Sequence, residues 1–245
     1  MQTPPSSSGP LLSTPGTAGW LPVWIKAITK PSEQTFVDIT DGPEATSKTA
    51  FLWVFLAGTL AGIISALLTA LLQAAGFSTA QMLEGLEQFT GPLPVADTGS
   101  TVSGLLFGLV CSPVAGAVAT AFFAVGVGII QWIAKLFGGT GSFDKLAYGF
   151  AAVSVPATLV GSILSPLSVI PTLGICTGLL SFLIGIYVLF LEITAVKAVN
   201  RFGWGAAVGS VLIPIAVLVG ICVCAITLGV AALVPALTDA FQQLN

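Results

Sequence analysis

The sequence predicts an all-α, polytopic membrane protein with five transmembrane helices and an N-terminal amphipathic helix on the membrane surface. Hydrophobic residues make up 55% of the chain and charged residues only 7%, whereas soluble domains carry about 25% charged residues. The mean hydropathy is +1.02, and a soluble fold of this composition could not cover its surface with polar groups. Long uncharged runs, each able to cross a bilayer, occupy most of the sequence.

The residues before the first apolar run predict two segments. Residues 1–19 are rich in Pro, Ser, Thr and Gly, lack the order of a signal peptide, and are typical of a flexible tail. Residues 20–48 predict a cytoplasmic amphipathic region that begins with a short helix, on which Trp20, Trp24 and Ile28 share a face. Tryptophan beside lysine favours the headgroup region, although a partner-binding segment or a linker also fits. We expect the acidic stretch 33–44 to loop back towards the first span.

Five apolar runs form the predicted membrane domain, residues 49–235, which Pro235 closes. A helix needs ~20 apolar residues to cross ~30 Å of hydrocarbon, and each run is close to that length or longer. The runs are 49–75, 101–137, 146–164, 173–194 and 206–233. Residues 236–245 are predicted to form a short external tail.

The second run is too long for one perpendicular crossing. Ser112-Pro113 can begin a helix, so 101–111 is either a half-helix entering the bilayer or a kinked extension of the same rod. The preceding polar loop, 76–100, contains Ser78-Thr79-Ala80-Gln81, which resembles a capping box that opens a short helix.

The basic residues predict the orientation of the chain. All seven fall on one side of the five predicted spans, and they are Lys26, Lys30, Lys48, Lys135, Lys145, Lys197 and Arg201. By the positive-inside rule this side is cytoplasmic, which places the N-terminus inside and the C-terminus outside. We expect a multi-pass protein of the plasma membrane.

A glycine-rich turn, Gly138-Gly139-Thr140-Gly141-Ser142-Phe143, joins the second and third spans. It lacks the strand and the GxxxxGK[ST] spacing of a phosphate-binding loop, so a tight turn that needs glycine's positive φ explains it better. The stretch from Lys135 to Phe143 closely resembles the GG-x-G-S-F/Y turn of the Yip family of Ypt/Rab-interacting membrane proteins. The motif positions are Gly138, Gly139, Gly141 and Phe143.

Further features are similar to that family: Pro156 in the third span, Tyr187 in the fourth, and the Ala-Val-Lys-Ala run before the fifth. The resemblance covers about residues 20–233 and implies five membrane helices, a cytoplasmic N-terminal region and no catalytic activity. Eukaryotic relatives act in vesicle traffic and bind prenylated Rab GTPases. This sequence lacks their D-L-Y-G-P motif, so it resembles a prokaryotic member and Rab binding is not carried over.

The composition leaves little scope for catalysis or for a cofactor. The chain has no histidine, which removes the commonest general base and the imidazole ligand of zinc or haem. The four cysteines lie in apolar runs without metal-binding spacing, so we expect them to pack as small hydrophobes. We therefore predict no catalytic residue, no metal, no cofactor and no nucleic-acid partner, and we identify no small-molecule substrate.

Two kinds of feature are candidates for function. Glu192 lies near the cytoplasmic end of the fourth span, and an ionisable group there suggests a proton relay, an ion site or a substrate contact. The structural alternative is an ion pair with Lys145, Lys197 or Arg201. Four GxxxG pairs could pack helices or dock a partner, and they are Gly58/Gly62, Gly104/Gly108, Gly174/Gly178 and Gly205/Gly209.

Together these observations predict a non-enzymatic integral membrane protein. We expect a scaffold, a membrane-organising factor or an accessory subunit whose partners are other integral membrane proteins and the lipid bilayer. The alternative is a small permease built on the interrupted second run and on the proline-bearing third and fifth spans.

Overall fold

The computed structural model describes residues 19–77 and 101–243, and within them the chain is α-helical. The helices are α1 (Trp20–Thr29), α2 (Glu33–Thr40), α3 (Ser47–Ala74), α4 (Thr101–Leu136), α5 (Phe143–Leu167), α6 (Pro171–Asn200) and α7 (Trp204–Gln243). Helices α3 to α7 are each long and apolar enough to cross a membrane. The predicted all-α fold with five spans is therefore confirmed.

Helix α3 lies at the centre of the bundle and packs most extensively on α4 and α5. The contact with α4 is close because glycines meet: a Cβ added to Gly58 would lie 3.1 Å from the Cα of Gly116. One hydrogen bond also crosses from α3 to α5, where the Ser65 hydroxyl donates to the Ser162 carbonyl at 3.1 Å. Small side chains let the backbones approach, which is the usual basis of helix packing in a bilayer.

The second apolar run forms one continuous helix, α4, that contains Pro113. The two alternatives for residues 101–111 are thus resolved in favour of an extension of the same rod. Proline removes a backbone donor, but a membrane helix tolerates it where neighbouring groups satisfy the freed carbonyls. One residue earlier, the Ser112 hydroxyl donates to the Gly108 carbonyl at 2.6 Å.

Two predictions about local structure are wrong. The acidic stretch 33–44 contains a helix, α2, because Ser32 caps it: the Ser32 hydroxyl accepts a hydrogen bond from the Thr35 backbone at 3.2 Å. Pro235 does not end the last helix either, since α7 continues through it to Gln243. The predicted capping box at 78–81, most of the polar loop and nearly all of the N-terminal tail lie outside the described residues.

Helices α1 and α2, together with Asp41 at the end of α2, form what we call the N-terminal platform, residues 20–41. The predicted α1 is present, and its tryptophans pack on the bundle: Trp20 and Trp24 both make edge contacts with Trp53 of α3, at 5.8 and 5.5 Å between centroids. Trp53 in turn lies 4.7 Å from the ring of Tyr148. The opposite side of α1 exposes Leu21 and Ile25. The platform thus packs as part of the folded bundle and is not a linker.

Candidate functional site at the charged end of the bundle

All the lysines and the arginine lie at one end of the bundle, which we call the charged end. Short turns make the last four spans antiparallel, so the starts of α5 and α7 meet the ends of α4 and α6. The start of α3 lies there too, because the Ser47 backbone donates to the Asp144 carboxylate at 3.0 Å. Segments distant in sequence therefore meet at this end.

The glycine turn is packed against the end of α6, and this explains its motif residues. Gly138 has a φ of +86°, a conformation that glycine adopts without steric cost. A Cβ on Gly139 would lie 2.6 Å from the Asn200 side-chain oxygen, and one on Gly141 would lie 2.7 Å from the Val199 carbonyl. Only glycine fits at these two positions without displacing α6.

Asn200 and Gln131 hold the turn in place, and we call this pair with Gly141 the turn lock. The Asn200 Oδ1 accepts hydrogen bonds from the Gly141 backbone at 3.2 Å and from Gln131 Nε2 at 3.1 Å. Gln131 Nε2 also donates to the Gly141 carbonyl at 2.7 Å. Both side chains are buried, at 1% and 3% exposure, so these bonds are shielded from solvent. The turn lock joins α4, α6 and the α4–α5 turn.

Sequence reasoning missed both side chains of the turn lock. The available signal was their polarity, since Gln131 interrupts an apolar run and Asn200 follows another.

The last motif residue, Phe143, begins α5 and contacts the ring of Phe51 at 6.2 Å between centroids. Phe51 also meets Phe123 of α4, so the turn is anchored on α3 and α4 as well.

Ion pairs fasten the N-terminal platform to the bundle. Lys145 of α5 pairs with Asp41, and Lys197 of α6 pairs with Glu33. Within the platform, Lys26 pairs with Asp38 at 3.0 Å. The hydrogen bond from Lys145 lowers the pKa of Asp41, while hydrogen bonds from Gln34 and then Lys26 lower the pKa of Asp38. Ionised Asp41 therefore favours attachment of the platform to α5, and ionised Asp38 favours the packing of α1 against α2.

Glu192 is half-buried on α6 and has no hydrogen bond or ion pair among the described residues. The ion pair with Lys145, Lys197 or Arg201 that formed the structural alternative is not present among the described residues. Lys145 and Lys197 are already paired with platform carboxylates, and Lys197 also lies 4.9 Å over the Trp204 ring. Arg201 is nine residues further on, about 13 Å along a helix axis. Tertiary structure thus leaves this carboxylate without a counter-charge.

The glycine pairs occupy different environments. An added Cβ would meet a neighbouring helix at Gly58, Gly62 and Gly108, and at Gly209 it would meet the Phe137 ring in the α4–α5 turn. At Gly174 it would lie 2.8 Å from the Ser168 carbonyl of the preceding turn. It would meet nothing within 4 Å at Gly104, Gly178 and Gly205. Only the Gly58/Gly62 pair packs as a unit against another helix.

Two open grooves run between helices, and neither is lined by a charged side chain. The α3–α4 groove has a volume of about 410 Å³ and includes Ser65, Thr69 and Gln73. The α5–α6 groove, about 340 Å³, includes Ser154 and Ser181. Within residues 19–77 and 101–243, no three histidine, cysteine or acidic side chains come together as metal ligands.

Five apolar helices with every lysine and arginine at one end define a multi-pass integral membrane protein. The family model of the Yip1 domain matches residues 25–226, and the chain belongs to that family. The family suggested by the glycine turn is thereby confirmed. Comparison with curated proteins and with solved structures found no match.

Proposed function

We propose that this protein is a non-enzymatic scaffold or accessory subunit that assembles with other integral membrane proteins. The observation that carries the proposal is the last span, α7, which has few packing partners among the residues that the structure describes. Val211 is fully buried, but from 212 to 228 every side chain is exposed except that of Pro214, which is half-buried. These 17 residues make a rod about 25 Å long.

Contacts between α7 and the rest of the bundle occur near its first turns. Trp204 stacks on Phe190 at 6.3 Å, and an added Cβ on Gly209 would contact the Phe137 ring at 3.4 Å. Beyond Val211, Ala216, Gly220 and Cys224 follow one another at intervals of four and form a small-residue face. Such faces let helices pack closely in a bilayer, where hydrophobicity by itself gives no driving force. A helix from a partner protein fits this face.

The proposal includes an orientation and a location. We place the charged end in the cytoplasm, because seven basic groups at one end of the bundle follow the positive-inside rule. We place the protein in the plasma membrane. The N-terminal platform then lies at the inner leaflet, with Leu21 and Ile25 exposed on its outer side. This arrangement also suits a membrane-organising role.

The permease alternative has less support. It relied partly on an interrupted second span, whereas α4 is one continuous helix. A transporter concentrates polar groups around a site near the bilayer midplane. The two described grooves contribute mainly hydroxyl-bearing, amide and small side chains.

Purification in mild detergent followed by mass spectrometry of co-eluting chains tests the proposal. We expect a stoichiometric integral membrane partner, and we expect Gly220→Leu to lose it because the new side chain covers the small-residue face of α7. Gly185→Leu on α6 is the matched control, since an added Cβ meets nothing within 4 Å at either glycine. A partner-free monomer that moves a solute in liposomes would contradict the proposal.

A further inference from the structure

The α5–α6 groove is an open, mostly apolar channel between two neighbouring helices. Small side chains line it from both helices, including Ala157 and Gly161 on α5 and Ser181 and Gly185 on α6. Its volume is about 340 Å³. An extended acyl chain is the slender apolar occupant that a bilayer supplies.

One wall of the groove carries a polar atom without a partner. The Ser154 hydroxyl oxygen is buried and makes no hydrogen bond. Other hydroxyls on these helices bond to their own backbones, as Ser162 does to the Leu159 carbonyl and Thr177 to the Leu173 carbonyl. A buried hydroxyl left unbonded has a free-energy cost, so the α5 wall keeps an unsatisfied polar atom just beneath the groove surface.

Glu192 lies on the face of α6 that lines the groove. Ser181, Gly185 and Val188 line it, and Glu192 follows at the next helical interval, four residues after Val188. Side chains on a helix tilt towards its N-terminus, which for Glu192 is the direction of the groove. The carboxylate has no counter-charge from the described residues. A mostly apolar groove thus runs towards a carboxyl group that has no counter-charge among the described residues.

The depth of Glu192 matches a lipid headgroup. Tyr187, just over one turn away, donates a hydrogen bond to the Ile28 carbonyl at 2.5 Å, which places the tryptophan-bearing α1 at the same level. Tyrosine and tryptophan gather at the membrane interface. The eleven residue steps from Ser181 to Glu192 span about 16 Å, close to the ~15 Å hydrocarbon depth of one leaflet.

We propose that the groove and Glu192 together bind one phospholipid with a primary-amine headgroup, from the leaflet at the charged end. The ammonium pairs with the Glu192 carboxylate, and an acyl chain lies between α5 and α6. A primary ammonium donates charge-assisted hydrogen bonds, whereas a choline headgroup has no donor and an anionic headgroup is repelled. This inference does not depend on the chain having a protein partner.

The test uses the full chain in nanodiscs of equal parts phosphatidylethanolamine, phosphatidylcholine and phosphatidylglycerol. Native mass spectrometry after gentle release counts the lipids that remain bound. We expect the unaltered protein to retain phosphatidylethanolamine about tenfold over phosphatidylcholine, as a hydrogen bond to a charged group allows. Glu192→Gln should bring that ratio close to one. Glu44→Gln, the same change in the α2–α3 connection, should leave it unaltered.

A second variant tests the groove independently of the charge. Gly185→Leu fills the groove and should reduce total lipid retention, whereas Gly220→Leu on α7 should not. A ratio near one in the unaltered protein refutes the proposal even if the variants fail to fold. The proposal is also refuted if Glu192→Gln keeps the ratio of phosphatidylethanolamine to phosphatidylcholine but loses a polypeptide that co-purifies with the unaltered protein. The group that pairs with Glu192 is then a basic side chain of that polypeptide. If Gly220→Leu loses a protein partner but keeps its bound lipid, the result concerns only the proposed scaffold function and not the lipid site.

Discussion

Replacing Asn200 tests whether the turn lock holds the charged end together. Asn200→Ala removes the oxygen that accepts from the Gly141 backbone and from Gln131, and the amide that donates to Gln131 Oε1 at 3.3 Å and to the Val196 carbonyl at 3.1 Å. We expect a large loss of stability, because the variant leaves polar groups of the turn and of α4 without partners in a buried site.

The magnitude follows from the groups that are left unpaired. Gln131 keeps its bond to the Gly141 carbonyl, but its Oε1 and the Gly141 N–H lose their partners in the structure. Each stranded buried group costs about 1–3 kcal/mol. Gly141 is only half-buried, so we expect the free energy of unfolding to fall by roughly 2–4 kcal/mol.

A pair of glycine variants tests the same site by steric means. Gly139→Ala places a methyl group 2.9 Å from the Ala134 carbonyl and against Asn200, and it should cost about 1–3 kcal/mol as overpacking does. Gly126→Ala is the matched control, since its Cβ meets nothing within 4 Å in the interior of α4. That substitution should stabilise the helix by about 0.5–1 kcal/mol.

Titration with sodium dodecyl sulphate in mixed micelles, followed by tryptophan fluorescence, measures these changes in the free energy of unfolding. The reasoning fails if Asn200→Ala changes stability by less than about 0.5 kcal/mol, the usual range of surface substitutions. It also fails if Gly139→Ala and Gly126→Ala behave alike. Either result would mean that the turn tolerates separation from α6.

Three further predictions concern the platform and the orientation. Trp53→Ala should lower the free energy of unfolding by about 3–5 kcal/mol. Trp53→Phe should lower it by less, because the buried indole N–H has no hydrogen-bond partner to lose. The same titration measures both variants. The pKa values of Asp38 and Asp41 lie below the ordinary 3.8, so their stabilisation of the platform is complete above about pH 4 and is lost as the pH falls through the lowered values. The hydrogen-exchange protection factors of α1 and α2, which correct for the slower intrinsic exchange at low pH, should therefore fall at pH 3, and much less so in an Asp38→Asn/Asp41→Asn variant. An impermeant amine reagent should label the exposed Lys135 in inside-out vesicles, and labelling in intact cells would reverse the proposed orientation.

Much of the fold could be predicted because its evidence is local. A span is recognised from the transfer free energies of about 20 neighbouring residues. The glycine turn was equally visible, since its residues adjoin one another. Even so, the helix α2 was missed: its cap at Ser32 is a single short side chain, and the acidic residues around it suggested solvent-exposed coil. The continuation of α7 past Pro235 was missed because proline was given the weight it has in soluble helices.

The amino-acid sequence by itself determined that the chain crosses a membrane, how many times it does so, and that its basic residues fall on one side. Those properties are sums over neighbouring residues or counts along the chain. Only the tertiary structure decided that Asn200 meets Gln131 across 69 residues and Gly141 across 59. It alone decided that Lys145 and Lys197 pair with Asp41 and Glu33, and that Glu192 has no partner among the described residues. The physical reason is that hydrophobicity acts residue by residue, whereas hydrogen bonds and ion pairs depend on which distant residues the packing brings within about 3 Å.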